Sequence, residues 1–161
     1  MFLDFETAWD KEYSLRHLSV PEYIFHPKFQ VQLLAAWDLD WPAPRHFIAE
    51  EIPAFLSRYD PAMTMVVAHN YLFDGAILAW KYGFVPGRMQ DTLGMTRALR
   101  RYQRYSLEYV AEKLLGLQKG KAVFKTQGLD VHGIMQAGFW HEFIEYALND
   151  VRLCAFIYCK L

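Results

Sequence analysis

The sequence predicts an α/β domain, in which helices cover a β-sheet, and three observations lead to this prediction. The chain has 161 residues, of which 53% are hydrophobic and 17% aromatic, so it is long and apolar enough to bury the core of one domain spanning residues 1–161. Short apolar runs alternate along the chain with segments of helical apolar spacing. The order of the apolar runs also indicates one early hairpin.

Four segments are predicted as strands because their apolar residues are short, continuous and bounded by turn residues. They are residues 1–6, 29–37, 63–68 and 88–91. Residues 10–27 mix charged, aromatic and proline residues, and they are predicted to cross irregularly between the first two strands. Residues 38–44 contain two prolines and are predicted to form a turn.

Five segments are predicted as helices from their apolar spacing and their end signals. They are residues 47–59, 74–82, 92–104, 106–115 and 139–161. Gly83 and Gly116 end two of these helices, and Asp91 and Ser106 are expected as N-caps. Pro53 disfavours the first turns of the segment 47–59, and residues 120–133 are predicted as a loop.

The composition excludes several classes of protein. No apolar run approaches the roughly 20 residues of a membrane span, and the N-terminus lacks the basic and apolar regions of a signal peptide. Cys154 and Cys159 are badly placed for a disulfide on a predicted helix, which favours a reduced, cytoplasmic protein. The six histidines show no zinc-ligand spacing, and no motif supports a serine or cysteine nucleophile.

One segment of the chain is strongly basic although the whole chain has a net charge of −1. Residues 97–125 hold eight basic residues against two acidic ones, a net charge of +6, so the remaining residues carry −7. The basic residues are Arg97, Arg100, Arg101, Arg104, Lys113, Lys119, Lys121 and Lys125. The four arginines are expected mostly on one helix side, with Tyr102 among them and Tyr105 next to Arg104. This pattern indicates an anion-binding surface or a solvated helix and loop.

Two acidic residues on the first predicted strand indicate a cation site. Asp4 and Glu6 are two residues apart, so both side chains point to one face of the strand and Phe5 points to the other. Two like charges on one face of a buried strand are costly unless a cation lies between them.

Two further carboxylates stand where they could join the first pair. Asp74 follows the apolar run 65–68, where a strand passes to a helix, and Asp150 shares a helix face with Tyr146. Oxygen ligands without histidine or cysteine suit Mg²⁺ or Mn²⁺. A pair of such ions, ~3.5–4 Å apart, is suited to the hydrolysis of a phosphodiester.

The carboxylates stand in three motifs that resemble those of the DEDD superfamily of 3′–5′ exonucleases, the DnaQ-like group. Residues 3–7 read Leu-Asp-Phe-Glu-Thr, and residues 69–74 read His-Asn-Tyr-Leu-Phe-Asp. Residues 146–150 read Tyr-Ala-Leu-Asn-Asp, which is similar to the third motif in its tyrosine form, because the histidine form would need His at the position of Glu145. The resemblance implies a ribonuclease-H-like mixed sheet of about five strands flanked by helices.

The resemblance also implies a role for each matching residue. Asp4, Glu6 and Asp150 would hold the catalytic metal, Asp4 would bridge to a second ion, and Asp74 would support that second site. Tyr146 and Glu6 would orient the attacking water. Thr7, Asn70 and Phe73 would contact the terminal nucleotide. The basic side chains expected to hold the strand are Arg97, Arg100, Arg101, Arg104, Lys119 and Lys121.

Within the tyrosine branch, the chain is most similar to the proofreading exonuclease domain of phage and bacterial family A DNA polymerases. Residues 23–27, Asp91-Thr92 and residues 106–108 carry this similarity. It implies single-stranded DNA as substrate, a replication or repair partner, and the cytoplasm, including that of a phage-infected bacterium. Because the chain begins three residues before Asp4 and ends soon after the third motif, a stand-alone enzyme or an excised domain is expected.

Two alternatives to a DNA exonuclease remain open. The two-metal chemistry never touches the sugar 2′ position, so a 3′–5′ exoribonuclease of the ribonuclease D or oligoribonuclease type would use the same motifs. A non-catalytic binding or regulatory protein on the same scaffold is the second alternative, since fold does not imply function.

Overall fold

The chain forms a five-stranded mixed sheet in the strand order β3-β2-β1-β4-β5. The computed structural model describes residues 1–117 and 125–161. Within them the strands are β1 (Phe2–Thr7), β2 (Val31–Trp37), β3 (Arg45–Ile48), β4 (Met65–Ala68) and β5 (Arg88–Asp91). The predicted strand at 88–91 is confirmed at both ends, and the α/β prediction is confirmed as a whole.

Strand β1 lies at the centre of the sheet, where it is parallel to one neighbour and antiparallel to the other. It pairs antiparallel with β2 and parallel with β4. Strands β2 and β3 pair antiparallel as an early hairpin, whose second strand was not predicted, and β4 and β5 run parallel. A register shift between Glu6 and Thr7 interrupts the pairing at the end of β1.

Helices cover both faces of the sheet. Within the described residues they are α1 (Val20–Ile24), α2 (Ile52–Leu56), α3 (Tyr71–Tyr82), α4 (Thr92–Ala98), α5 (Leu107–Leu115), α6 (Val131–Gln136) and α7 (Trp140–Lys160). The predicted end signals are confirmed: Gly83 and Gly116 follow α3 and α5 with positive φ angles, and the side chains of Asp91 and Ser106 cap α4 and α5.

Two apolar clusters, one on each face, hold the layers together. Alternation along β1 sends Phe2 into the cluster with α5, α6 and α7, and it sends Leu3 and Phe5 into the cluster with α1, α2 and α3. Asp4 and Glu6 therefore lie on the side of the sheet that α7 covers. Within the described residues, no helix is both long and apolar enough to span a membrane.

The predicted helix at 47–59 is wrong in its first part. Phe47 and Ile48 belong to β3, where they pair with Leu34 and Leu33 of β2, and the helix α2 spans only Ile52–Leu56. The apolar spacing suited either structure, and pairing with the edge of the sheet satisfies the backbone hydrogen bonds of these residues. Pro53 stands in the first turn of α2, where its missing N–H costs nothing.

The predicted helix at 92–104 is also too long. Helix α4 ends at Ala98, and Arg100 adopts the left-handed conformation, with φ of 51°. Only Thr92 and Thr96 of α4 are buried, so no apolar face beyond Ala98 is packed to sustain another turn. The prediction that Arg97, Arg100, Arg101 and Arg104 share one helix side is therefore wrong, because only Arg97 is helical.

The predicted loop at 120–133 contains the start of a helix. Helix α6 begins at Val131, and the side chain of Asp130 caps it by accepting a hydrogen bond from the Gly133 amide at 2.7 Å. Gly133 and His132 are weak helix formers, which concealed α6 despite its capping aspartate. Lys119 and Lys121, both predicted to contact the substrate, lie outside the described residues.

Candidate active site

Three carboxylates from two distant parts of the chain meet above the central strand. Asp4 and Glu6 project from the same face of β1, and Asp150 faces them from α7. Each offers one oxygen atom such that the three oxygens lie within 4.8 Å of one another. Glu6 and Asp150 are buried, and Asp4 is half-buried at the base of two clefts.

Helix α7 brings Tyr146 to the same place. Tyr146 and Asp150 are one turn apart on the buried stripe of α7, and the Tyr146 hydroxyl is hydrogen-bonded to the Asp150 carboxylate. Burial, followed by the charges of Asp150, Glu6 and Asp4, raises the pKa of Tyr146 above its ordinary value. The phenol therefore keeps its proton at neutral pH and can donate a hydrogen bond.

Asp74, on α3, is hydrogen-bonded to the backbone of β1. It lies in the first turn of α3, fully buried, and its Oδ1 accepts a hydrogen bond of 2.9 Å from the Phe5 amide of β1. Burial and then the charge of Asp4 raise the pKa of Asp74 well above its usual range. Asp74 does not belong to the group of three within 4.8 Å, as far as the described residues are concerned.

The donor set suits a hard divalent cation. The three clustered ligand atoms are all carboxylate oxygens, and neither histidine nor cysteine joins the group within the described residues. Mg²⁺ and Mn²⁺ prefer such oxygen ligands, whereas structural zinc sites are built from cysteine and histidine. Asp4, Glu6 and Asp150 would hold one ion, and Asp4 with Asp74 could contribute to a second.

Two clefts open on either side of the carboxylates. The first, here called the aromatic cleft, has a volume of about 480 Å³ and contains Asp4, Glu6, Tyr146 and Asp150. Its other lining residues are Phe5, Thr7, Trp9, Ser14, Leu15, Arg16, Tyr23 and Phe73. The predicted contacts Thr7 and Phe73 therefore line the same cleft as the carboxylates.

The second cleft, here called the histidine cleft, also measures about 480 Å³ and shares Asp4 and Asp150 with the first. It is lined in addition by His69, Asn70, Leu93, Arg97, Tyr105, Ser106 and Leu107. Of the predicted residues, Asn70 and Arg97 thus reach the site from this side. A third cavity of about 470 Å³, between α2 and the end of α3, has no acidic residue among its described lining residues.

Both ring nitrogens of His69, a residue of the histidine cleft, are hydrogen-bonded. Its Nε2 lies 2.9 Å from the Tyr105 carbonyl oxygen, which can only accept, so Nε2 carries the hydrogen. Its Nδ1 lies 2.9 Å from the Thr92 hydroxyl. The next residue, Asn70, has a φ angle of 73°. Its backbone amide donates a hydrogen bond of 2.9 Å to the Asp91 carboxylate.

The predicted basic residues divide into two sets. Arg97 lines the histidine cleft, whereas Arg100, Arg101 and Arg104 are exposed on the irregular segment that connects α4 to α5. This segment leads to Tyr105, which lines that cleft, but the three arginines are not among the described lining residues.

Sequence reasoning did not single out Tyr23, Trp9, Arg16 or the side chain of His69 as site residues. Tyr23 and Trp9 stand in or beside the segment predicted to be irregular, and nothing in their local pattern indicates which cleft they would face. His69 directly precedes Asn70 at the end of a predicted strand, and this position was the available signal for it.

Residues 58–161 match the family model described as 3′–5′ exonuclease. None of the curated proteins matches this chain in sequence.

Solved structures with the same fold cover nearly the whole chain. RNase D of Trypanosoma brucei in complex with RNA U12 is 19% identical, with a TM-score of 0.72 over 99% of this chain and 54% of that one. Brucella melitensis NrnC with bound Mg²⁺ is 19% identical, with a TM-score of 0.60 over 99% of this chain and 72% of that one. Escherichia coli RNase D is 16% identical, with a TM-score of 0.62 over 99% of this chain and 38% of that one.

At these identities the likeness establishes the fold, and the predicted ribonuclease-H-like sheet is confirmed. The chain spans about half the length of the trypanosomal RNase D.

Proposed function

Because the chain belongs to the 3′–5′ exonuclease family whose model matches residues 58–161, we propose that it removes nucleotides one at a time from the 3′ end of a nucleic-acid strand. The observation that carries the proposal is the group Asp4, Glu6 and Asp150, with oxygen atoms within 4.8 Å of one another, beside the hydroxyl of Tyr146.

Each acidic residue has a distinct place in the proposed mechanism. Asp4, Glu6 and Asp150 hold the catalytic metal, and Asp4 together with Asp74 serves a second site. Two Mg²⁺ or Mn²⁺ ions held by these residues would supply an activated water and would stabilise the charge that develops on the phosphodiester oxygens. Asp74 is anchored to the Phe5 amide, so its carboxylate is held in place before the substrate arrives.

Tyr146 and Glu6 orient the attacking water. Once Asp150 turns its carboxylate to a bound metal, the hydrogen that Tyr146 gives to Asp150 becomes available to the water, and Glu6 accepts a hydrogen bond from that water, which is so directed at the phosphorus. Thr7 and Phe73 hold the terminal nucleotide in the aromatic cleft, and Asn70 contacts it from the histidine cleft. With this role for Tyr146, the proposal includes membership of the tyrosine branch of the DEDD superfamily.

Single-stranded DNA is the proposed substrate. Support comes from residues 23–27, Asp91-Thr92 and residues 106–108, which are similar to segments of family A polymerase exonuclease domains. The proposal includes a replication or repair partner, a phage context and a cytoplasmic location. The two free cysteines, Cys154 and Cys159, are in keeping with a reducing compartment.

RNA is the second candidate substrate, and a specific observation favours it. Structures of the same fold include RNases, one of them in complex with RNA U12. Both substrates present the same phosphodiester to the carboxylates, so the choice between them depends on contacts to the sugar.

Digestion of end-labelled oligonucleotides tests both the function and the substrate. DNA and RNA of equal sequence, single- and double-stranded, are incubated with Mg²⁺ or Mn²⁺, and product lengths are resolved over time. A ladder shortening from the 3′ end, released as nucleoside monophosphates and stopped by EDTA, is the expected result. Unchanged strands in every metal, or products that shorten from the 5′ end, would contradict the proposal.

A further inference from the structure

Tyr23 lies in the aromatic cleft, but none of the catalytic roles above uses it. It belongs to the short helix α1 and is only 2% exposed, and its ring stacks on Tyr13 with 4.4 Å between centroids and 2° between planes. The ring of Phe73, on α3, packs against it with 5.8 Å between the two ring centroids. These contacts hold the ring of Tyr23 in one position at the wall of the cleft.

The hydrogen bonds of Tyr23 determine the direction of the hydroxyl hydrogen of Thr7. The Tyr23 hydroxyl donates to the Ala8 carbonyl oxygen at 2.7 Å, because a carbonyl oxygen can only accept. The Thr7 hydroxyl lies 2.9 Å from the Tyr23 oxygen. Since the single hydrogen of Tyr23 is already used, the hydrogen between these two oxygens is that of Thr7.

Burial raises the pKa of Tyr23 above its ordinary value, so the phenol keeps the hydrogen that this arrangement requires. With its own hydrogen directed at Tyr23, the Thr7 oxygen has only lone pairs left to offer. It therefore acts towards a ligand as a hydrogen-bond acceptor.

Thr7, the last residue of β1, lies in the aromatic cleft. It pairs with Val31 of β2 beyond a register shift in which β2 carries one extra residue, Gln32. A bulge of this kind increases the local twist of the strands. Thr7 is half-buried and lines the cleft together with Glu6, Tyr146 and Asp150.

We propose that Tyr23 is a positioning residue that fixes Thr7 as a hydrogen-bond acceptor for a hydroxyl group on the sugar of the terminal nucleotide. This inference rests on the proposed function, because it assumes that the 3′ end of a strand occupies the aromatic cleft. The shared chemistry is a sugar hydroxyl that donates a hydrogen bond, and either the 3′-hydroxyl or the 2′-hydroxyl can supply it.

The consequence is selection for the chemistry of the strand end. A sugar hydroxyl next to Thr7 donates a hydrogen bond to the Thr7 oxygen. A strand end without that hydroxyl leaves the partly buried Thr7 oxygen without a donor. One neutral hydrogen bond of this kind corresponds to a preference of about three- to tenfold.

The test uses one oligonucleotide body with four 3′-terminal nucleosides: the ribonucleoside, the 2′-deoxy, the 3′-deoxy and the 2′,3′-dideoxy form. The value of kcat/KM for removal of the terminal nucleotide is measured for the wild type, Thr7→Val, Tyr23→Phe and the double variant. The wild type should prefer ends that carry the hydroxyl read by Thr7. Thr7→Val should abolish that preference, and Tyr23→Phe should reduce it by about threefold or more.

The double variant should show the same preference as Thr7→Val, because Tyr23 acts only through Thr7. Thr7→Ser, which keeps the hydroxyl, should retain the preference. The matched control is Tyr13→Phe, which removes the hydroxyl of the stacked neighbour and its 2.8 Å bond to the Tyr23 carbonyl oxygen, without touching Thr7. Melting temperatures of all variants are measured alongside.

A preference that follows the 3′-hydroxyl or the 2′-hydroxyl, and that is lost in Thr7→Val and Tyr23→Phe but kept in Tyr13→Phe, supports the proposal and identifies the hydroxyl. Equal rates on all four ends, an unchanged preference in Tyr23→Phe, or an equal loss in Tyr13→Phe would overturn it while the nuclease activity stands. Failure of the wild type to cleave any of the ends would overturn the proposed function itself.

Discussion

Asp4, Glu6 and Asp150 bring up to three negative charges close together. For two unit charges 4.8 Å apart, the repulsion is roughly 3 kcal/mol per pair at an effective dielectric constant of about 20. A divalent cation bound between them would replace this repulsion by attraction. The residues that repel one another in the metal-free protein are therefore those that we propose as the source of its affinity for metal.

Replacing a metal ligand should abolish the activity and leave the fold intact. Asp4→Ala or Asp150→Ala is expected to lower kcat by about 10³-fold or more, since metal ions contribute several kcal/mol to such reactions. The melting temperature without metal should stay equal or rise, because each change relieves repulsion. The matched control is Asp40→Ala, which should keep full activity, because Asp40 is exposed and distant in sequence from the three carboxylates. Robust Mg²⁺-dependent cleavage by either ligand variant would refute the assignment.

Removing the hydroxyl of Tyr146 should slow the reaction without affecting metal binding. Tyr146→Phe is expected to reduce kcat by about 10²-fold, the lower end of what positioned proton-handling groups contribute. Tyr158→Phe changes another tyrosine of α7, one that packs edge-on against Phe2, and should have near-normal turnover. Turnover, melting temperature and metal affinity are measured together. A fall in stability with normal turnover of the folded fraction would show that Tyr146 is only a packing residue.

At the scale of an element, the segment between α4 and α5 differs most from its predicted form. Its arginines do not form a helical row, because α4 ends at Ala98 and Arg100 turns the backbone into the left-handed region. The irregular course leaves Arg100, Arg101 and Arg104 exposed, while Arg97 stays in the histidine cleft. An exposed basic segment beside an acidic site can attract the phosphates that the carboxylates repel.

This basic segment is expected to hold the strand upstream of its 3′ end. Replacing Arg100, Arg101 and Arg104 together by alanine should weaken binding of single strands and flatten its salt dependence by ~0.7 per lost phosphate contact in the log–log slope. Cleavage of a dinucleotide, too short to reach the segment, should hardly change. Dissociation constants are measured across a series of salt concentrations.

The control for this experiment removes the same charge elsewhere. Arg45, Arg58 and Arg88 are exposed and lie outside the segment, so their joint replacement by alanine should leave the salt slope as it is. An identical slope in the wild type and in the Arg100, Arg101 and Arg104 variant would show that the strand approaches from another side.

At the scale of the whole molecule, the site joins three parts of the chain that are far apart in sequence. Strand β1 contributes Asp4 and Glu6, α3 contributes Asp74, and α7 contributes Asp150. The proposed ligands come together only when the sheet and both helix layers are in place. We therefore expect metal binding and global folding to be coupled.

Divalent cations should accordingly raise the melting temperature of the wild type. At a metal concentration about 100-fold above the dissociation constant, linkage predicts about 2.7 kcal/mol of added stability, or a rise of roughly 5–10 °C for a domain of this size. Thermal melts with increasing Mn²⁺ or Mg²⁺ measure the shift, and EDTA should reverse it. The Asp4→Ala and Asp150→Ala proteins should show little shift. The same shift in all three proteins would place the stabilising ion elsewhere.

Local signals in the sequence were sufficient wherever the physical cause is local. The alternation that puts Asp4 and Glu6 on one face, the caps at Asp91 and Ser106, and the glycine stop at Gly83 each depend on neighbouring residues, and the structure has all of them. The family resemblance also came from local motifs, and the match of residues 58–161 confirms it. The helix prediction for residues 47–59 was wrong in its first part because those residues pair with the sheet. The helix predicted for residues 92–104 was too long because no buried face sustains it beyond Ala98.

The sequence by itself therefore determined the α/β class, the order of the motifs and the face of the central strand that carries the charges. Only the tertiary structure decided which groups meet: the Phe5 amide with Asp74, 69 residues away, and Thr7 with Tyr23. The same holds for the 4.8 Å group of carboxylates. Periodicity specifies the direction in which a side chain leaves its own element, whereas its partner depends on how the layers pack, and no local pattern encodes that packing.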